Sequence, residues 1–289
     1  MSSPATTTTS TTPATNAFGI AGWLYNEPIL RAKTMTLLEL PAVARGADVS
    51  VLELCSVFFA SQTAPYLNDV RIALADAGMR VPSIAVDGPN ISQPDAAARR
   101  THIETVKQWF HVARAIGAEA IRVNSGGAID ASEDDLTRIV EAYRELATEA
   151  EGTGVTLLIE NHGGASANPA NLRRFLAEVD SPWFRSCPDT GNFPDGTWRE
   201  GVAAMLPYAV STHIKVYAYA EDGTQPYVGH DGIDRSSNLR EILKMLRDAD
   251  YRGPLCIEAG IEADQTEAAR GAIAYVTRLL AEIDAERQG

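Results

Sequence analysis

Cysteine, histidine and positive charge are all scarce in this chain. Its 289 residues include three cysteines, Cys55, Cys187 and Cys256, and no CxxC pair. That excludes a disulfide framework and argues against thiolate zinc. The uneven count suits a reducing, cytoplasmic compartment. Lys and Arg total 25 against 38 Asp and Glu, for a formal net charge of -13. So acidic a surface repels phosphate backbones, and no nucleic-acid partner is expected. No apolar run approaches the ~20 residues of a membrane span, so no membrane role is expected either. The five histidines are His102, His111, His162, His213 and His230. The opening stretch, rich in Thr, Ser and Pro, lacks the charged and apolar regions of a signal peptide. Residues 1–16 read as a disordered leader ahead of one domain over 17–289.

Beyond the leader the chain repeats one pattern. Apolar runs occupy 17–25, 49–55, 79–88, 119–127, 155–164, 184–192, 209–219 and 253–260. Such runs suit strands buried on both faces of a parallel sheet. Helical spacing fills the gaps. Over 94–116, Ile103, Val106, Phe110 and Ala113 share one face, and Gly117 comes next as a C-cap. Ser132 and Asp135 resemble a capping box for a helix carrying Ile139, Val140, Tyr143 and Leu146. A final helix spans 264–286, and shorter ones fit 35–46, 63–77, 169–179, 198–206 and 237–248. Eight strand–helix units predict an α/β fold, a (β/α)8 TIM barrel; a doubly wound open sheet is the competing architecture.

Four successive strand ends carry candidate metal ligands: Glu160 in LLIENHGG, Asp189 in CPDTGNF, His213 in STHIKVY and Glu258 in LCIEAG. In a barrel these ends meet at one mouth. Three carboxylates gathered there repel one another, and a divalent cation removes that cost. Mixed oxygen and nitrogen ligands suit Mn²⁺, Mg²⁺, Co²⁺ or Zn²⁺. Taken singly, a strand-end acid is an ordinary helix cap and a lone histidine an ordinary core group.

At these four motifs the sequence resembles the xylose-isomerase-like barrel superfamily, which groups sugar phosphate isomerases and epimerases with endonuclease IV. The resemblance covers roughly 17–285. It implies one divalent metal, Mn²⁺ first and Mg²⁺ or Co²⁺ next, held by Glu160, Asp189, His213 and Glu258. It also implies that Glu160 and Glu258 move a proton on opposite faces of an enediolate. The sequence departs at Asn192, where epimerases of this kind usually have histidine. That departure and the few histidines weigh against a trinuclear zinc nuclease.

Other residues are read by their offset. His162, two after Glu160, is a candidate base or a partner holding a ligand in place. Lys215, two after His213, could steady an enolate oxygen or form an ion pair with Glu258. Glu53, Arg122, Asn124 and Asn192 are candidate substrate contacts, with Arg122 equally suited to bridging buried acids. Trp23 suits core packing better than stacking on a sugar. Cys187 and Cys256 read as small packing residues. The long segment 219–238 reads as a lid carrying His230 and Arg235, both candidate substrate contacts.

The leading expectation is a metal-dependent isomerase or epimerase of a ketose or related polyol ketone, with a small-molecule sugar as partner. The alternative is a lyase, dehydratase or C-glycoside-cleaving subunit acting on a 3-keto sugar, with His162 as base; a cleaving subunit could need a second polypeptide. A non-catalytic binding barrel is a third reading. Homo-oligomerisation is compatible with all of them.

Overall fold

The computed structural model describes residues 16–194, 196–228 and 232–288. Eight parallel strands form the barrel: β1 (Phe18–Ala21), β2 (Leu52–Cys55), β3 (Ile84–Val86), β4 (Ala120–Val123), β5 (Thr156–Glu160), β6 (Phe184–Cys187), β7 (His213–Lys215) and β10 (Leu255–Ala259). Their order is β6-β5-β4-β3-β2-β1-β10-β7. Bridges Ser186–Ala209 and Asp189–His213 join β6 to β7 and close the ring. The open-sheet alternative is thereby set aside. The two remaining strands, β8 (Thr224–Val228) and β9 (Asp234–Asn238), form a separate antiparallel hairpin.

The period of two along each strand builds two different surfaces. Outward-facing Ile20, Leu52, Leu54, Ile84, Ile121, Leu157, Ile159, Ile214 and Ile257 join the main core beneath the helices. Each such side chain contributes about 1.5–3 kcal/mol on burial. The inward positions begin small and apolar: Ala21, Val51 and Cys256 cluster on one side, Ala120, Leu158 and Cys187 on the other. Both cysteines therefore pack the barrel floor, as their offset implied. One inward step further along the same strands stand Glu53, Arg122, Glu160, Asp189, Lys215 and Glu258, with His213 beside them. The barrel thus has an apolar floor and a charged upper layer.

The helices match the apolar periodicity: α1 (Leu40–Arg45), α2 (Ala64–Asp76), α3 (Ala96–Ile116), α4 (Glu133–Thr153), α5 (Pro169–Val179), α6 (Trp198–Met205), α7 (Leu239–Asp248) and α8 (Gln265–Glu286). Gly117 ends α3 in the left-handed region, and Ser132 with Asp135 makes the capping box of α4. Tyr143 of α4 reaches inward and donates to the Val123 carbonyl at 2.9 Å.

Three expectations need correcting. The run at 17–25 is a strand only to Ala21; the chain then turns tightly over Gly22–Tyr25. That turn leaves Trp23 41% exposed at the mouth instead of in the core. The segment 219–238, expected as a long loop, carries a hairpin: β8 and β9 pair with Tyr227 opposite Arg235. Gln225 anchors this hairpin: its side-chain oxygen accepts from the Tyr217 and Ala218 amides at 2.7 and 3.1 Å. His230 lies outside the described residues, as do residues 1–15. Asn16, assigned to the leader by sequence, donates to the Tyr251 and Gly253 carbonyls at 3.0 and 2.8 Å. No helix among the described residues is long and apolar enough to cross a membrane.

Candidate metal centre

Parallel strands in register bring their C-terminal ends to one level, and the four sequence-predicted ligands arrive there together. One ligand atom from each of Glu160, Asp189, His213 and Glu258 lies within 4.8 Å of the others. His213 is the hub. Its Nδ1 is 3.1 Å from Glu160 Oε1, 3.0 Å from Glu258 Oε2 and 3.8 Å from Asp189 Oδ2. Its Nε2 faces the other way and donates to Glu53 Oε2 at 2.9 Å. Ser83 donates to the same Glu53 oxygen at 2.6 Å. A neutral imidazole that donates to Glu53 through Nε2 keeps its Nδ1 lone pair for a cation held among the carboxylates.

Two cations border the cluster. Arg122 Nε stands 3.0 Å from Glu160 Oε2, and its Nη1 lies 2.9 Å from Asp87 and 2.7 Å from Asn124 Oδ1. Lys215 Nζ lies 3.1 Å from Asp189 Oδ2 and 3.6 Å from Glu258 Oε1. Asn192 links the two halves: it accepts from Lys215 at 2.8 Å and donates to Glu160 Oε1 at 3.1 Å. Gly191 keeps this contact close, since a Cβ there would sit 3.1 Å from both Lys215 Cδ and the Tyr217 ring.

Burial raises the cost of every charge here, and the neighbours decide the outcome. Burial pushes the Glu160 carboxyl up, but Arg122, His213 and His162 hold it well below the usual carboxylate range. Glu258 is likewise pushed up by burial and held down by Lys215 and His213. Asp189 ends well above the usual range: burial, with Glu258 and Glu160 close by, outweighs Lys215 and His213. Glu160 Oε2, Asp189 Oδ2 and Glu258 Oε2 are buried and accept no well-oriented hydrogen bond. Two of these, Asp189 Oδ2 and Glu258 Oε2, stand with Glu160 Oε1 around one imidazole nitrogen, a donor set that fits a hard divalent cation. A second close trio, Glu53, Cys187 and His213, does not. Its Cys187 sulfur is a soft donor, unlike the all-oxygen partners of the first cluster, and burial pushes the thiol up to about 11.

The remaining predicted residues fall into place around this core. Lys215 makes the Glu258 ion pair foreseen for it, and a closer one to Asp189. Arg122 bridges buried acids. Glu53 is 1% exposed behind His213, so its partner is the imidazole. His162 is exposed just beyond β5, two residues from Glu160. Arg235 stands on β9 of the hairpin, opposite Tyr227. His102 and His111 lie on α3, outside the barrel.

Sequence reasoning missed Asp87 and Asn161. Asp87 comes directly after β3, at the end of an apolar run. Asn161 clamps the Asp189 backbone from both sides, donating to its carbonyl at 3.0 Å and accepting from its amide at 2.8 Å. The available signal was adjacency to Glu160.

The sequence profile of the xylose isomerase-like TIM barrel family matches residues 42–279, most of the barrel and all four ligand strands. The chain belongs to that family. Several solved members of this fold superpose on it. An L-ribulose 3-epimerase shares 18% identity at a TM-score of 0.70, covering 95% of this chain and 97% of its own. A 3-keto-D-glucoside 4-epimerase from E. coli shares 16% at 0.69, covering 91% and 100%. A xylose isomerase-like TIM barrel protein from Mycobacterium smegmatis, in complex with magnesium, shares 17% at 0.68, covering 93% and 98%. At these identities the likeness is one of fold. No curated protein matches the chain in sequence.

Proposed function

We propose that this family member is a divalent-metal-dependent isomerase or epimerase of a sugar ketone, working through an enediolate. The observation that carries the reading is the convergence of three buried carboxylates on His213 Nδ1, two of them, Asp189 and Glu258, through oxygens that accept no well-oriented hydrogen bond. Glu160, Asp189, His213 and Glu258 would hold the ion, Mn²⁺ first and Mg²⁺ or Co²⁺ next. When bound, such an ion polarises a carbonyl and acidifies the neighbouring C–H.

The chain's own residues do the rest. Glu160 and Glu258 approach from β5 and β10, so one takes the substrate's α-proton and the other returns one. Arg122 anchors Glu160 through Nε and is itself fixed by Asp87 and Asn124. Lys215 places an ammonium beside Asp189 and Glu258, where negative charge develops on a substrate oxygen. Asn192 holds that ammonium in position. Glu53 fixes the His213 ring. His162, at the mouth, is within electrostatic reach of Glu160 and is placed to contact a sugar hydroxyl.

Solvent-deuterium exchange into a ketose tests the proton-transfer step. Glu160→Gln should lower exchange by roughly 10²- to 10⁴-fold, the range for loss of a positioned acid–base group. Undiminished exchange in a folded variant would reject the role. Product analysis separates the isomerase from the lyase: rearrangement conserves mass, whereas elimination with His162 as base releases a leaving group.

A further inference from the structure

Strongly exposed apolar side chains collect on one arc of the mouth. The sheet order places β7, β10, β1 and β2 side by side. The chain leaving each of these four strands carries such a residue close to the strand end: Tyr219 at 38% exposure, Ile261 at 49%, Trp23 at 41% and Val57 at 44%, with Val228 and Ile233 further along the β7 exit on the hairpin. The exits touch. Tyr219 donates to Glu262, next to Ile261, at 2.6 Å. The turn holding Trp23 begins at Gly22, where a Cβ would lie 2.7 Å from the Glu53 carbonyl and 3.5 Å from the Phe58 ring beside Val57.

The opposite arc, β3 to β6, differs. At the strand ends its exits carry Asp87, Asn124, Asn161 with His162, and Asn192, all polar; its strongly exposed apolar residue is Ile129, six positions beyond β4. Between the arcs lies the charged cluster. The mouth is therefore amphipathic, with polar groups at its centre and on one side and apolar groups on the other.

We propose that the site takes an amphipathic substrate: a sugar bearing an apolar aryl or alkyl substituent. This rests on the sugar reading above and adds the substrate class to it. The hydroxyls lie over the cluster and the β3–β6 edge. The substituent lies across Tyr219, Ile261, Trp23 and Val57. A bare sugar would leave that arc hydrated, whereas an aryl group would bury it and gain the transfer free energy. The arc borders the entrance to the cluster, so an occupant joined to the sugar covers both surfaces at once. A second copy of the chain seated there would close the entrance.

Calorimetric titration with methyl and phenyl β-D-glucoside, on the manganese-loaded protein, tests this. The phenyl compound should bind roughly tenfold or more tightly, as expected for burying a ring. Trp23→Ala combined with Ile261→Ser, both exposed changes, should bring the two affinities together and leave methyl glucoside binding unchanged. Val57→Ser should reduce the preference in part. Equal wild-type affinities, no binding of either glucoside, or a preference that survives the double variant would overturn the proposal. So would self-association in sedimentation that the double variant abolishes, since the arc would then be an interface between copies. Deuterium exchange into a free ketose reports on the reaction separately. Exchange without phenyl preference sinks only the substrate class. Phenyl preference without exchange supports the amphipathic site and sinks the isomerase reading.

Discussion

Glu53 shows how far a single residue can be read from its strand. Its position at the end of β2 pointed to the mouth, and it was expected to hold a sugar. Its partner across the barrel, His213, is 160 positions away and invisible to local pattern. The buried hydrogen bond to His213 Nε2 gives Glu53 a different task, fixing tautomer and ring plane. Glu53→Gln should weaken manganese binding by about 10- to 100-fold, the usual cost of losing such a partner, with little change in fold. Calorimetric affinity checks this, and an unchanged value would show that the ring is oriented by other means. The four ligands themselves were legible because each stands in or just after an apolar run, on four successive strands of the barrel. Arg122 and Lys215 were legible as inward residues, and Glu258 as one partner of Lys215; the closer pairs, Lys215 with Asp189 and Arg122 with Glu160, were not. Which acid each one pairs with is set by barrel geometry.

Among elements, the helices were the most legible, because their signals are local: the capping box at Ser132, the glycine at 117, and the apolar stripes of α3 and α4. The strands were legible as apolar runs because their outward faces are aliphatic and their lower inward positions are small. The hairpin β8–β9 was not. Its strands are short and polar, Pro226 interrupts one of them, and its hold on the barrel comes from Gln225. Packing of α3 on α4 offers a pH test. Glu145 on α4 meets Arg100 and Lys107 of α3 at 2.5 and 2.6 Å. The Arg100 hydrogen bond first, then Lys107, hold its carboxyl down to about 2, against a usual 4.5. A depressed carboxyl stabilises the fold above its unfolded value, and the gain disappears as pH falls towards 2. Because the pair is partly exposed, the gain is about 0.5–1 kcal/mol. Glu145→Gln should therefore lower Tm by about 1–3 °C at pH 7. The gap should narrow steadily below pH 4.5. Thermal melts across that range decide it; a gap that widens on acidification would contradict the assignment.

For the molecule as a whole, the charge layer is the defining feature. A chain of net charge -13 gathers Glu53, Glu160, Asp189 and Glu258 inside one barrel, with Arg122 and Lys215 as the two flanking fixed cations. The eightfold repeat was legible because each unit spans one strand, one helix and short connections. The convergence of ligands on a single point required the ring to close, which pattern alone does not prove. The most direct test is manganese titration of the metal-stripped protein, read by calorimetry and elemental analysis. The account predicts one ion per chain, a rise in Tm of several degrees from preferential binding to the folded state, and loss of both in Asp189→Asn. No uptake of manganese, cobalt or magnesium, or uptake that Asp189→Asn leaves untouched, would contradict it.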